Sequence, residues 1–298
     1  MYDVVILGSG PAGLTAAIYC GRAKKKTLVL AGDSLGGQTA EIATLENYPG
    51  WNGSGMALIN FMKKQAESFD AKLEFTSATN IKFNNDGTYT VACDNGKNFD
   101  AKAVILATGA RARRLEIDGA REFFGHGVSY CATCDGFFYT GRDVLVIGGG
   151  NGALNDALYL ADVAKNVTIV YRKDSFTRAE AVLRERVLEK QNIKCIYNTE
   201  LKSISKDEDS DKLIATTMTG DKIECDGIFV AIGHEANTDY LTESIKRDDM
   251  GRIGSSDLPI GMFVAGDVKS GIQMQIATAV GTGCSAAMDA IKYLNSKE

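Results

Sequence analysis

Cys131-Ala-Thr-Cys134 is the only close pair among the seven cysteines of this 298-residue chain. Its spacing permits a small, low-strain disulfide ring, as redox-cycling dithiols require. Three readings are open. A zinc half-site needs a second ligand pair, but the only histidines are His126 and His234 and no second Cys-x-x-Cys exists. A thioredoxin fold carries its Cys-x-x-Cys early, after the first strand, whereas this pair lies mid-chain. The third reading is a dithiol serving a bound cofactor, and it depends on what flanks the pair. Asp135 follows directly, and a carboxylate beside a thiolate can carry a proton while the sulfur acts as nucleophile. Cys20, Cys93, Cys195, Cys225 and Cys284 stand singly and read as small buried hydrophobes of a reducing compartment.

The elements that must position the pair form a weak internal repeat. Tyr2-Asp-Val-Val-Ile-Leu-Gly8-Ser-Gly10-Pro-Ala-Gly13 opens the chain, and Asp143-Val-Leu-Val-Ile-Gly148-Gly-Gly150-Asn-Gly-Ala153 echoes it. Each is a β-branched run, a glycine turn and a helical stretch (14–21 and 154–163), followed by an apolar strand (27–30 and 167–170). That is βαβ written twice, predicting two parallel-sheet α/β units. Between them, 73–75 and 88–93 alternate like antiparallel strands. Buried strands are expected at 104–109, 227–233 and 262–267, and a small-residue helix at 276–293. The first unit lacks a closing helix, so the C-terminal segment should return to complete it. The segment 206–212 reads as a solvated hairpin tip.

Glycine turns before helices suit a dinucleotide pyrophosphate, because free N–H groups and the dipole favour negative charge there. Gly8, Gly10 and Gly13 meet this pattern, as do Gly148 and Gly150 with Ala153 third. A ribose-binding carboxylate is wanted about 20 residues on. In the first unit only Asp33 could serve, while the second has Arg172 and Lys173, cations where a 2′-phosphate would lie. A dithiol at the joint of two cofactor domains can meet both, which favours a flavin-coupled disulfide.

At this point the whole chain resembles low-molecular-weight thioredoxin reductases, the class II flavin-dependent pyridine nucleotide-disulfide oxidoreductases. The likeness runs through Gly8-Ser-Gly-Pro-Ala-Gly13, Gly36-Gly-Gln38, Glu46-Asn-Tyr-Pro-Gly50, Ala107-Thr-Gly109, Ser129-Tyr-Cys-Ala-Thr-Cys-Asp-Gly-Phe-Phe138 and Gly266-Asp-Val268. It implies an α/β fold of two Rossmann-like (doubly wound, three-layer ββα) dinucleotide-binding domains, the second inserted into the first. The FAD domain would be residues 1–112 and 243–298, and the nicotinamide-type domain 113–242. It also implies a redox-active Cys131–Cys134 disulfide, with Cys134 against the flavin, Cys131 attacking thioredoxin after a domain rotation, and Asp135 managing protons. FAD contacts carry over to Gly8, Ser9, Gly10, Pro11, Ala12, Gly13, Gly36, Gly37, Gln38, Asn47, Thr108, Gly109, Gly266, Asp267, Gln275 and Ile276. Nicotinamide-nucleotide contacts carry over to Gly148, Gly150, Asn151, Gly152, Ala153, Arg172 and Lys173. A homodimer is implied.

The chain departs from the family at the donor site. NADPH users carry His-Arg-Arg-x-x-x-Arg, where this chain has Tyr171-Arg-Lys-Asp-Ser-Phe-Thr177-Arg178. Asn151-Gly152 replaces Asp-Ser or Asp-Thr, and Met274-Gln275 replaces Arg-Gln beside the flavin. NADPH remains the expected donor, with NADH, ferredoxin or a deazaflavin as the alternative. The net charge of −5 gives no reason to expect nucleic acid. The start is unlike a signal peptide, and no apolar run approaches the ~20 residues of a membrane span. The expected location is the cytoplasm, with no membrane partner and no metal.

Overall fold

The computed structural model describes residues 1–42, 44–207 and 210–297. The fold is α/β with two Rossmann-like units: Met1–Arg111 with Glu235–Glu298, and the inserted Ala112–His234.

In the first unit, strand Tyr2–Leu7 leads into helix Pro11–Arg22 and back to the parallel strand Thr27–Leu30. Pro11 opens the helix where a missing N–H costs nothing. The sheet runs Lys72–Glu74, Thr27–Leu30, Tyr2–Leu7, Asn98–Leu106. The far side of Asn98–Leu106 is shared. Its start pairs antiparallel with Tyr89–Cys93, and its end pairs parallel with Met262–Val264 from the C-terminal segment. Strand alternation splits the core in two. Val4, Ile6 and Ile105 face helices Pro11–Arg22 and Ile276–Asn295, while Val5, Leu7, Val104 and Leu106 face Tyr89 and Val91. The helix layer is close because its contacts are small. A Cβ on Gly283 would fall 2.3 Å from the Ala12 carbonyl oxygen, so Gly283→Ala should cost about 1–3 kcal/mol.

Two sequence expectations need correction. The alternation of 73–75 suggests an antiparallel strand, but strand Lys72–Glu74 runs parallel to Thr27–Leu30. The reason is helix Gly55–Glu67, absent from the sequence reading, which supplies the crossover that a parallel pair needs. The inserted unit ends at His234 rather than at 242. Residues 235–242 belong with the first unit because Tyr240 and Leu241 are buried in its core. Arg111 also binds Glu235 (2.8 Å) and Asp239 (2.5 Å).

The inserted unit has five parallel strands in the order Ile193–Ile196, Asn166–Val170, Asp143–Ile147, Gly227–Val230, Val128–Ser129. Val144, Val146 and Ile169 face helices Asn151–Val163 and Ala181–Glu189. Leu145, Ile147 and Val170 face a three-stranded antiparallel sheet of Leu201–Lys206, Leu213–Thr217 and Lys222–Cys225. Of the expected hairpin tip, residues 208 and 209 lie outside the described residues. Among the described residues no helix is long and apolar enough to cross a membrane.

Candidate functional site

The first unit's glycine turn is a cradle that side chains would fill. Gly8 has φ +108°, and a Cβ there would fall 2.2 Å from the Ala107 carbonyl oxygen; a Cβ on Gly13 would fall 1.9 Å from that of Gly8. Gly10 caps the helix with extended backbone and no side-chain cap, leaving the first-turn N–H groups to whatever lies above. Ser9 is buried and fully engaged, donating to the Ala31 carbonyl (3.0 Å) and accepting from the Gly36 N–H (3.1 Å). It ties the left-handed Gly36-Gly37 turn to the cradle. Gln38 donates to the Ala110 carbonyl (2.8 Å). Asn47 reaches Gln275 (3.2 Å), joining two expected site residues from the two segments of this unit. Ile276 then begins the last helix. A cavity of about 600 Å³ opens beside Glu46–Asn52.

Thr108 is also engaged within this unit. Its hydroxyl donates to the Asn237 carbonyl (2.7 Å) and pairs with the Tyr240 hydroxyl (3.0 Å), while the Asn237 N–H reaches Gly109. Both residues therefore fasten 237–240 to the strand end. Gly266, with φ +71°, lies over Ala12, where a Cβ would come within 2.9 Å of that side chain. Next to it, Asp267 Oδ1 is buried without a hydrogen-bond partner, and burial holds the carboxyl above its ordinary range. A buried acceptor without a donor, beside a helix N-terminus open to phosphate, fits a ligand that brings both hydroxyls and a pyrophosphate.

The inserted unit repeats the turn with differences. Gly148, with φ +142°, comes so close to Ala231 that a Cβ would fall 2.2 Å from its carbonyl oxygen. Buried Ala153 takes the third position, and Gly150 and Gly152 face open space. Asn151 is occupied. Its amide donates to Glu180 Oε1 (2.8 Å) and accepts from the Glu180 N–H (2.8 Å). Arg172 is exposed and Lys173 half-buried. Tyr171 turns inward. It is 8% exposed, its ring lies where a Gly149 Cβ would be (2.5 Å), and it stacks on Phe176 at 5.6 Å.

In the same unit, Cys131 and Cys134 are joined in a disulfide, and the other five cysteines are free. The pair sits on the short helix Ala132–Asp135, just after strand Val128–Ser129. The Cys134 N–H points at Cys131 Sγ (3.2 Å), and the Thr133 hydroxyl lies 3.5 Å from the same sulfur. Cys134 is exposed and Cys131 half-buried. Asp135 accepts from the hydroxyl of buried Ser129 at 2.6 Å. Phe137 and Phe138, 74% and 72% exposed, follow at once. Tyr139 anchors the segment, its ring against Gly227 and edge-on to Phe229 at 5.3 Å. Sequence reasoning places Ser129, Phe137 and Phe138 inside a motif but gives them no role.

Residues 2–283 match the model of the pyridine nucleotide-disulphide oxidoreductase family. The chain belongs to this family. Membership makes it a flavin-dependent oxidoreductase and implies FAD and a pyridine nucleotide. It is 38% identical to the thioredoxin reductase of Mycolicibacterium smegmatis over 309 residues, covering 100% of this chain and 98% of that one. Among solved structures, Lactococcus lactis thioredoxin reductase in its FR conformation is similar with a TM-score of 0.93 and 35% identity, covering 99% of this chain and 100% of that one. The thioredoxin reductase of T. acidophilum is similar at 0.90 and 34%, covering 100% and 99%.

Proposed function

We propose that the chain is a thioredoxin-disulfide reductase, taking electrons from NADPH and delivering them through Cys131 and Cys134 to thioredoxin or a thioredoxin-like protein. The observation that carries this reading is the disulfide itself. It is the one bonded pair among the described cysteines, it lies in a dinucleotide-type unit, and it is flanked by a carboxylate and two exposed phenylalanines. The first unit takes FAD, with Gly8, Gly10, Gly13 and Gly266 shaping the backbone and Asp267 accepting from ligand hydroxyls. The inserted unit takes the nicotinamide nucleotide at Gly148–Ala153, with Arg172 and Lys173 as its phosphate cations. The enzyme acts in the cytoplasm as a homodimer.

When bound, FAD supplies a two-electron relay from the donor to the disulfide. The chain's own chemistry starts from the dithiol. The Cys131 thiolate attacks one sulfur of the partner's disulfide, breaking that S–S bond and forming a mixed disulfide, and the released partner thiolate takes a proton. Asp135 accepts the Cys134 proton. The Cys134 sulfur then attacks Cys131, restoring the internal disulfide and releasing the partner's second thiol. The partner gains two electrons, and the chain loses two. The Cys134 N–H directed at Cys131 Sγ would stabilise a thiolate there, which supports Cys131 as the sulfur that attacks the partner. The exposed Phe137 and Phe138 give the partner an apolar surface beside the exchanging sulfurs.

A second donor reading has its own support. Tyr171 is packed inward, and Asn151 is taken up by Glu180. Two cations remain for a 2′-phosphate, so discrimination between NADPH and NADH should be weak. Anaerobic titration of the yellow protein with NADPH, NADH and reduced ferredoxin, then with oxidised thioredoxin, tests both readings. Bleaching by NADPH and recolouring by thioredoxin is the expected result. Bleaching by ferredoxin alone overturns the donor, and failure to recolour overturns the partner.

A further inference from the structure

We infer that Ser129 is the positioning residue for Asp135, keeping one hydrogen bond on that carboxyl group whether it is ionised or protonated; this rests on the disulfide-reductase reading above. Ser129 ends the edge strand Val128–Ser129, registered against Phe229, and is 4% exposed. A buried hydroxyl needs partners, and this one has three. Its oxygen accepts from the Cys131 N–H at 3.0 Å. Its proton has two acceptors in reach, Asp135 Oδ2 at 2.6 Å and the Cys131 carbonyl at 3.3 Å.

A hydroxyl offers one donor and two lone pairs, and its proton can rotate. With Asp135 ionised, the proton points to the carboxylate, a charge-assisted bond that outcompetes the longer one to the carbonyl. With Asp135 protonated, the carboxyl proton is donated to the second lone pair of Ser129, whose own proton swings to the Cys131 carbonyl. Neither state leaves a buried group unpaired. A residue that only capped the turn would need the acceptor toward Cys131 and no donor toward Asp135.

The rest of the neighbourhood does not supply this restraint. Asp135 is held otherwise by its backbone N–H to the Cys131 carbonyl (3.2 Å), which leaves its side-chain torsions free. From the same segment Tyr139 lies within electrostatic reach of Asp135, Arg142, Cys225 and Asp226. From helix Asn151–Val163, Tyr159 packs over Gly136. The described hydrogen bonds join none of these side chains to the Asp135 carboxylate. When the disulfide opens, the carboxylate therefore keeps its distance from the sulfurs through a hydroxyl fixed in the sheet.

The test compares Ser129→Ala, Ser129→Thr, Ser129→Val and Asp135→Asn holoproteins, with the double variants of Ser129 and Asp135, in steady-state thioredoxin reduction. Threonine and valine share a shape that suits a strand and differ in the hydroxyl, so their contrast stands even where the alanine variant does not fold. Thr should retain parental kcat. Val and Ala should lose about 10- to 100-fold, part of what a proton-transfer group contributes, with the KM for thioredoxin unchanged. In the Asp135→Asn background the further loss should vanish. Parental rates in the Val variant, or losses that multiply in the double variants, would overturn the assignment. A second readout needs neither donor nor partner: iodoacetamide capture of the dithiothreitol-reduced holoprotein from about pH 5 to 9, followed by mass. Parent and Thr should share one pH profile, and Val and Ala another. Four coincident profiles overturn the assignment, whereas an inactive parent with two distinct profiles overturns the reductase reading and leaves Ser129 in place.

Discussion

Replacing Asp267 with asparagine should move two measurable quantities in opposite directions. The carboxylate is buried beside the first glycine turn with Oδ1 unpartnered, and burial raises its pKa above the ordinary 3.8. In the flavin-free fold, then, the folded chain binds a proton here more tightly than the unfolded chain does. That contribution to stability is present in full below the unfolded value and is lost as pH rises through the folded value. As pH rises, ionisation places a charge on a buried carboxyl whose Oδ1 has no donor. Asparagine keeps the shape and removes the charge, so flavin-free Asp267→Asn should melt higher than the parent at neutral pH. Its melting temperature should also vary less from acid to neutral pH.

On the proposed reading, the hydroxyls of bound FAD would supply the missing donors, and the charge would become an asset. Hydrogen bonds to charged groups are worth roughly 1.5–3 kcal/mol, so losing the charge should weaken FAD binding by about 10- to 150-fold. Fluorescence titration of flavin-free protein gives the affinity, and thermal melts across the same pH range give the stability. Equal FAD affinities, or a flavin-free variant that melts lower than the parent at neutral pH, would refute the reasoning.

Mild reduction should raise the thiol count in denaturant by two, because Cys131 and Cys134 are the bonded pair and the other cysteines are free; any other increase sinks the single-disulfide reading. Cys131→Ser should leave a Cys134 thiolate that gives a long-wavelength charge-transfer band with oxidised FAD, and a band in Cys134→Ser instead reverses the order of the two sulfurs. Lys173→Arg with Thr177→Arg should favour NADPH over NADH by about 10-fold or more for each new hydrogen bond to the 2′-phosphate, read by stopped-flow flavin reduction and shrinking as salt screens the cations; an unchanged preference places the phosphate elsewhere. Phe137→Ala should raise the KM for thioredoxin with kcat nearly unchanged; a fall in kcat alone would mean that the ring serves the chemistry and not docking.

Legibility in the sequence followed how directly a residue's identity reports its surroundings. Gly8 and Gly148 were readable because a Cβ at either would meet a carbonyl oxygen 2.2 Å away, at a φ that side chains rarely adopt. Helix Gly55–Glu67 was not, because its buried residues Leu58, Ile59, Met62 and Ala66 are interleaved with the exposed Met56 and Phe61, which blurs the stripe. Ser129 was silent for another reason. A serine at a strand end reads as a turn residue until the chain brings Asp135 back to its hydroxyl. Tyr171 shows the limit most clearly. Aligned to a motif, it reads as a missing phosphate ligand, a slot that histidine would refill. In the fold its ring covers Gly149 and stacks on Phe176, so Tyr171→His would forfeit about 0.5–1.5 kcal/mol of ring stacking and bury an imidazole in its place. The cation set of this unit is therefore better extended from the exposed Thr177 than restored at position 171.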